Sequence, residues 1–170
     1  MRIGLISDTH NWIHPALFKF FADCDEIWHA GDIGSAKVAD ALSAFKPLRA
    51  VYGNIDDNVV RSMFKEYLRF SIEGVDVLIT HIGGYPGRYH GRVAELLKQD
   101  APDLFICGHS HIAKVQNDAK NNLLHINPGA AGYHGFHLMM TAVRFTVEDS
   151  KISDLELIEL GERGKVSPDS

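Results

Sequence analysis

The chain of 170 residues has only two cysteines, Cys24 and Cys107, far apart and in no Cys-x-x-Cys pair. That argues against a disulfide framework and against a thiolate zinc site, and both read as small core residues. A basic excess is also missing. Lys and Arg number 17 against 22 Asp and Glu, a net charge of -5, so no broad surface for tracking nucleic-acid phosphates is expected. No apolar run approaches the roughly 20 residues of a membrane span. The opening "MRIGLIS" is too short, and too soon interrupted by Asp8, to be a signal peptide. Internal repeats, linkers and low-complexity segments are absent as well. A cytoplasmic protein with no membrane partner is expected, with homo-oligomerisation left open.

What is present suits one domain, expected over 1–160, with a loose tail "GERGKVSPDS" at 161–170. Continuous apolar runs at 2–7, 26–31, 48–53, 75–81 and 103–109 predict strands covered on both faces. Between them, 15–24, 36–45 and 91–100 carry apolar residues at spacings of three and four, the pattern of amphipathic helices. Pro15 suits a first helical turn and Ser35 an N-cap. Later segments read as hairpins, with turns at Glu73-Gly74, within "NDAKNN" and near Asp149-Ser150. The fold class is α/β: a wound β-α-β-α-β half followed by antiparallel strands.

Ten histidines are the compositional anomaly. Each apolar run ends in a residue of the metal-ligand kind: Asp8 and His10, then Gly31-Asp32, Gly53-Asn54, His81, and Gly108-His109-Ser110-His111. One at a time, these are ordinary: Asp32 caps a helix, Asn54 sits in a turn, His81 is a hydrogen-bonded strand end. Taken together they need another explanation, because in an open α/β sheet the carboxyl ends of the strands gather at one edge and form the ligand crevice. Glycines at 31, 53 and 108 suit tight turns that send the next side chain back over the sheet. Asp8 and His10 are expected to leave an extended strand on one side.

Four imidazoles, two carboxylates and an amide without thiolate suit Mn²⁺, Fe or Zn²⁺, with geometry and availability selecting among them and Ni or Co also possible; Mn²⁺ is the expected ion. Seven donors exceed one open site. Two divalent ions sharing a carboxylate, roughly 3.5 to 4 Å apart, would use them all. Such a centre stays net positive and favours a phosphate. A hydroxide bridging the ions would then attack phosphorus, with no side-chain nucleophile needed.

The order Asp-x-His, Gly-Asp, Gly-Asn, His, Gly-His-x-His over residues 8 to 111 resembles the calcineurin-like metallophosphoesterases. "NPGA" at 127–130 resembles a further signature of their small bacterial and archaeal phosphodiesterase branch. The resemblance implies a four-layer α-β-β-α sandwich of two mixed sheets flanked by helices, with a dinuclear site at strand C-terminal ends. By the family pattern Asp8, His10, Asp32 and His111 hold one metal and Asp32, Asn54, His81 and His109 the other, with Asp32 bridging. Asn54 and His81 are then also candidate catalytic residues, Asn54 by touching the phosphate. The substrate is a small phosphoester, most simply a phosphodiester; phosphomonoester hydrolysis is the nearer alternative. A protein-binding scaffold is the other, since the family includes a retromer subunit with a degraded site.

One departure stands out. Many relatives read Gly-Asn-His-Asp/Glu at the third motif, the histidine serving as general acid or phosphate contact, whereas this chain reads "GNID". Ile55 cannot donate a proton. Losing a general acid costs on the order of 10² to 10⁴ in rate, most with poor leaving groups, so activated aryl diesters are expected to outrun dialkyl ones. His134 is the candidate substitute donor. Asp56 either orients a ligand histidine or stabilises the turn. Asn11 and His14 are close enough in sequence to line the substrate mouth. His29 and His125 are expected to be hydrogen-bonded core residues; His90 and His137 have no motif support.

Overall fold

The computed structural model describes residues 1–165. In chain order the elements are β1 (Arg2–Ile6), α1 (Ala16–Phe20), β2 (Glu26–His29), α2 (Ala36–Phe45), β3 (Leu48–Ala50), α3 (Asn58–Met63), β4 (Tyr67–Ile72) and β5 (Val75–Thr80). They continue as β6 (Gly84–Tyr85), β7 (Arg88–Tyr89), α4 (Gly91–Gln99), β8 (Leu104–Ile106), β9 (Ala113–Asp118), β10 (Leu123–Pro128), β11 (Met139–Glu148) and β12 (Lys151–Glu162). One five-stranded sheet has the order β12-β11-β1-β2-β3 and the other β4-β5-β8-β10-β9; β6 and β7 pair alone. Both sheets are mixed. β1, β2 and β3 run parallel, as do β5, β8 and β10, while β11, β12, β4 and β9 join antiparallel.

The layers reflect which face each side chain takes. Ile3 and Leu5 of β1 meet Val77, Ile79, Ile106 and Phe145 in the core between the sheets. Ile6 and Ile27 face the other way, against Leu17, Phe21, Val38 and Leu42 from the α1 and α2 side. On the outer face of the second sheet, α4 lays Val93 and Leu97 on Leu78, Phe105 and Cys107. The result is the expected α-β-β-α sandwich. Gly4 permits the close packing of Phe21 on β1, since a Cβ there would stand 2.6 Å from the Phe21 ring. Phe21 is fully buried, and truncating a core Phe costs about 3–5 kcal/mol.

The hairpins turn where the alternation placed them, with Glu73, Gly74, Asp149 and Ser150 all at positive φ. Other features differ. α1 stops at Phe20, after which Phe21 and Cys24 pack as a turn. Ser35 precedes α2 without a side-chain cap bond. α3 is an addition to the expected helices: its six residues are too short for periodicity, and the Asp57 carboxylate caps it by accepting the Val59 and Val60 N–H groups. β12 continues to Glu162, paired with Met139, so the segment expected to be loose from 161 begins inside a strand. Residues 166–170 of that segment lie outside the described residues. Among the described residues no helix is long and apolar enough to cross a membrane.

Candidate metal centre

Two sheets bring their strand ends to one place. The loops after β1, β2, β3, β5 and β8 carry Asp8 and His10, Asp32, Asn54, His81, and His109 and His111 respectively. Asp8, His10 and His111 offer donor atoms all within 4.8 Å of one another, and so do Asp8, Asp32 and His81. Asp8 belongs to both triads. Its Oδ2 accepts from the Ser7 hydroxyl at 2.5 Å and the His109 N–H at 3.1 Å. Its Oδ1 is buried and has no hydrogen-bond donor among the described residues.

That lone oxygen faces imidazoles: His111 Nε2 at 3.1 Å, His10 Nε2 at 3.8 Å and His81 Nε2 at 3.9 Å. Asp32, a member of the second triad, also nears the first: its Oδ1 is 3.2 Å from His81 Nε2 and its Oδ2 3.8 Å from His10 Nε2. Asn54 Oδ1 is 3.1 Å from the same His81 nitrogen. A buried carboxylate oxygen without a donor loses its hydration and gains nothing in return. Cations relieve this, so the donor set fits divalent metal. His109 is outside both triads, its ring edge-on to His81 with centroids 5.2 Å apart.

The convergence depends on unusual backbone. Asp8, His10, Asp32, His109 and His111 all have positive φ, between 48° and 68°. Asp8 and His10 therefore do not leave an extended strand; a left-handed turn aims them. For non-glycine residues this conformation costs roughly 1–2 kcal/mol each, and five instances in one cluster mark strain held for a purpose. The glycines act differently from expectation too. Only Gly31 of the three is left-handed, at φ +92, and a Cβ there would strike the His81 ring. Gly53 and Gly108 have ordinary φ and serve close approach: a Cβ would collide with Asp32 at the first and with Ser7 and Asp8 at the second.

Hydrogen bonds decide which nitrogen each histidine presents. His81 Nδ1–H donates to the Ala30 carbonyl at 2.8 Å, turning Nε2 toward Asp32 and Asn54. Burial disfavours the charged form of His81, but Asp32 and Asp8 outweigh it and raise its pKa. Burial likewise works against an ionised Asp32, yet His81, the Ile55 N–H and His10 hold its carboxyl below the usual range. A proton or a metal ion would occupy the same gap. Burial dominates at His10 and His109, lowering both and favouring the neutral form that can act as a ligand.

Asp56 faces loop amides rather than the cluster. It accepts from Gly34 N–H at 2.6 Å, Gly53 N–H at 2.7 Å and Ile33 N–H at 3.2 Å. Of its two roles, therefore, the structure shows the turn: it ties the Asp32 loop to the Asn54 loop and touches no ligand histidine. Asn11 is exposed, with its N–H on the Ile33 carbonyl, and His134 stacks on Tyr133 with its ring 6.5 Å from His10. Neither lines the 440 Å³ pocket over the cluster. His14 Nδ1 instead accepts the Ala16 N–H at the start of α1, and His90 precedes α4. His29 is satisfied as expected, between Thr9 Oγ1 and the Gly31 N–H. His125 is not: it is fully buried and neither ring nitrogen has a partner among the described residues. Its packing against Tyr89 and Phe105 offers rings where a donor or acceptor was expected.

His137, without a motif, proves to adjoin the centre. Its Nε2–H donates to the Gly132 carbonyl at 2.9 Å, leaving Nδ1 to accept from His111 Nδ1–H at 3.1 Å. His111 then presents a bare Nε2, 3.4 Å from His10 Nε2. Gly135, at φ +130, leaves room for this pair, since a Cβ would run into the His111 ring. The only sequence signal was a His two residues beyond a Gly in a histidine-rich loop.

Residues 1–150 match the family model for the calcineurin-like phosphoesterase superfamily domain. A protein of Methanothermobacter thermautotrophicus named a probable metallophosphoesterase is 31% identical over 135 residues, covering 76% of this chain and 77% of its own length. The chain belongs to the calcineurin-like phosphoesterase superfamily. Among solved structures, a novel archaeal phosphodiesterase superposes with a TM-score of 0.74 at 23% identity, over 94% of this chain and 99% of its own. Zinc-complexed Vps29 from Entamoeba histolytica does so with a TM-score of 0.70 at 17% identity, over 95% and 100%. These two likenesses speak for the fold.

Proposed function

We propose that the protein is a metal-dependent phosphodiesterase using two divalent ions, with Mn²⁺ the first to be tested, since a mixed imidazole and carboxylate set accepts Mn²⁺, Fe or Zn²⁺ and availability selects among them. The observation that carries this reading is Asp8 Oδ1, a buried acceptor without a donor that faces the Nε2 atoms of His10, His81 and His111. Asp8, His10, Asp32 and His111 would hold one ion, and Asp32, Asn54, His81 and His109 the other. Bound there, the ions supply a nucleophile from water at neutral pH and neutralise charge on the phosphoryl oxygens. The chain's part is positioning: Ala30 fixes the tautomer of His81, His137 fixes that of His111, and Asp56 locks two ligand loops together.

The lining of the pocket favours diesters. Among the described residues no Lys or Arg lines the pocket over the cluster, so the nearly two negative charges of a monoester at neutral pH would meet no side-chain cation there. Arg61 lines an adjoining pocket beside Asn54 and His81, but its guanidinium is taken up by the Asp56, Gly53 and Asn54 carbonyls. Ile55 lines the pocket over the cluster where many relatives carry a histidine, so leaving groups that need no proton should be cleaved fastest. The archaeal phosphodiesterase among the fold neighbours agrees with this choice. Free, buried Cys24 and Cys107 suit a reducing compartment, hence the cytoplasm.

The test is protein stripped of metal, resupplied with each divalent ion, and assayed on bis(4-nitrophenyl) phosphate and 4-nitrophenyl phosphate. Activity restored by Mn²⁺, higher on the diester and lost in Asp32→Ala and His81→Ala, supports the proposal. Inactivity with every ion on both esters would instead promote a scaffold role of the kind Vps29-like folds suggest.

A further inference from the structure

Ile55 is 45% exposed, Ile112 67% and Phe136 100%, and all three line the pocket that opens over the donor cluster. Each forgoes the stabilisation that burial brings to a large apolar side chain. Two of them directly succeed metal-ligand candidates, Ile55 after Asn54 and Ile112 after His111, and Phe136 stands at the tip of the β10–β11 loop that also carries His137. The Ile55 N–H is occupied by Asp32 Oδ1 at 3.1 Å, so its backbone belongs to the centre while its side chain is left to the opening.

A phosphoryl group held at the cluster must send its ester substituents outward. Beyond the donor cluster, these three are the large apolar side chains of the surface they meet, with Ser110, Gly135 and His137 beside them. At 440 Å³ the hollow has the size of a small-molecule site. Among the described residues the lining holds no Lys or Arg that could receive a further anionic group. We infer that this rim selects phosphoesters carrying an uncharged, apolar, ring-sized substituent, with Ile55, Ile112 and Phe136 as specificity-determining residues. The inference rests on the phosphoesterase reading above and adds the substrate class. It is separate from the leaving-group effect of Ile55, because a rim reads the shape of a substituent whether or not that substituent departs.

Diesters of 4-nitrophenol whose second substituent is phenyl, methyl or carboxymethyl share one leaving group, so differences among them report recognition. The phenyl ester should exceed the methyl ester about ten-fold or more in kcat/KM, with carboxymethyl lowest. In Ile112→Ser and Phe136→Ser the phenyl-to-methyl ratio should fall toward one. It should persist in Leu157→Ser, which removes an exposed aliphatic side chain outside the pocket. Calorimetric binding of phenylphosphonate against methylphosphonate to the Mn²⁺-supplied protein gives a readout without turnover. A ratio near one in the wild type, or one that both rim variants leave unmoved, overturns the inference while the phosphoesterase reading stands. If no ester is turned over with any ion, that reading falls; tighter phenylphosphonate binding then still upholds the rim, and equal binding overturns it too.

Discussion

Replacing His137 with Ala isolates what a neighbouring ring does for a metal ligand. The backbone ties of its loop survive, because Arg163 reaches the His137 and Leu138 carbonyls. What changes is His111: without an acceptor for Nδ1–H, its proton is free to move to Nε2. There it would find Asp8 Oδ1 3.1 Å away, a buried carboxylate oxygen that has no other donor. Hydrogen bonds to charged groups are worth about 1.5–3 kcal/mol. Metal would have to break this one first, so its dissociation constant should rise about 10- to 100-fold, the usual effect of losing such an outer partner. Calorimetric Mn²⁺ titration of stripped protein measures the change, and nitrogen NMR of the His111 ring reports which atom carries the proton. His137→Asn, whose amide oxygen takes the place of Nδ1, should recover most of the affinity. Equal Mn²⁺ affinity in wild type and His137→Ala, or a His111 proton that stays on Nδ1 in the Ala variant, would refute the reasoning.

Asp56→Ala leaves three loop N–H groups without their acceptor and should lower stability by about 3 kcal/mol, seen in urea unfolding, together with a weaker Mn²⁺ affinity as the Asp32 and Asn54 loops part. Gly108→Ala forces a Cβ onto Ser7 and Asp8 and should abolish high-affinity metal binding while circular dichroism still shows a folded protein. Ile55→His places a proton donor at the pocket wall and should raise turnover of a dialkyl ester more than that of an aryl ester, by about ten-fold or more in the ratio of their kcat values. Burial lowers the His125 pKa from 6.5 to about 4. Between those values the unfolded chain binds a proton that the fold refuses, so stability is full above pH 6.5 and lost as the pH falls toward 4. The loss is about 1.4 kcal/mol per pH unit, and His125→Leu should flatten it by one proton when urea midpoints are compared at about pH 7.5 and 5.

The donors could be found in the sequence because residue type and strand position coincide there: a run such as "DLFIC" is visibly a buried strand, and the residues directly after it must lie at its end. The partition into two sheets followed from the family resemblance rather than from the runs themselves, since a parallel strand reads alike whichever neighbour it pairs with, β2 for β1 and β8 for β5. Nor could alternation describe how Asp8 and His10 aim. A left-handed φ is commoner at Asp and His than at most non-glycine residues, but residue type alone does not say which of them adopts it; the surroundings impose it here, the Asp8 N–H being held by the Gly31 carbonyl and the His10 N–H by that of Asp32. The same limit hid His137, whose partner lies 26 residues away on another loop. His125 failed the expectation for the opposite reason, a buried imidazole being hydrogen-bonded as a rule, whereas here aromatic rings surround it. The residues that defy local reading are thus of two kinds. Those at the centre carry strain that a bound cation would offset, since its attraction for Asp8 and Asp32 can outweigh several unfavourable backbone angles at once. His125 sits away from that cluster, with no such ion to offset its burial, which is why its effect should surface in stability against pH rather than in metal affinity.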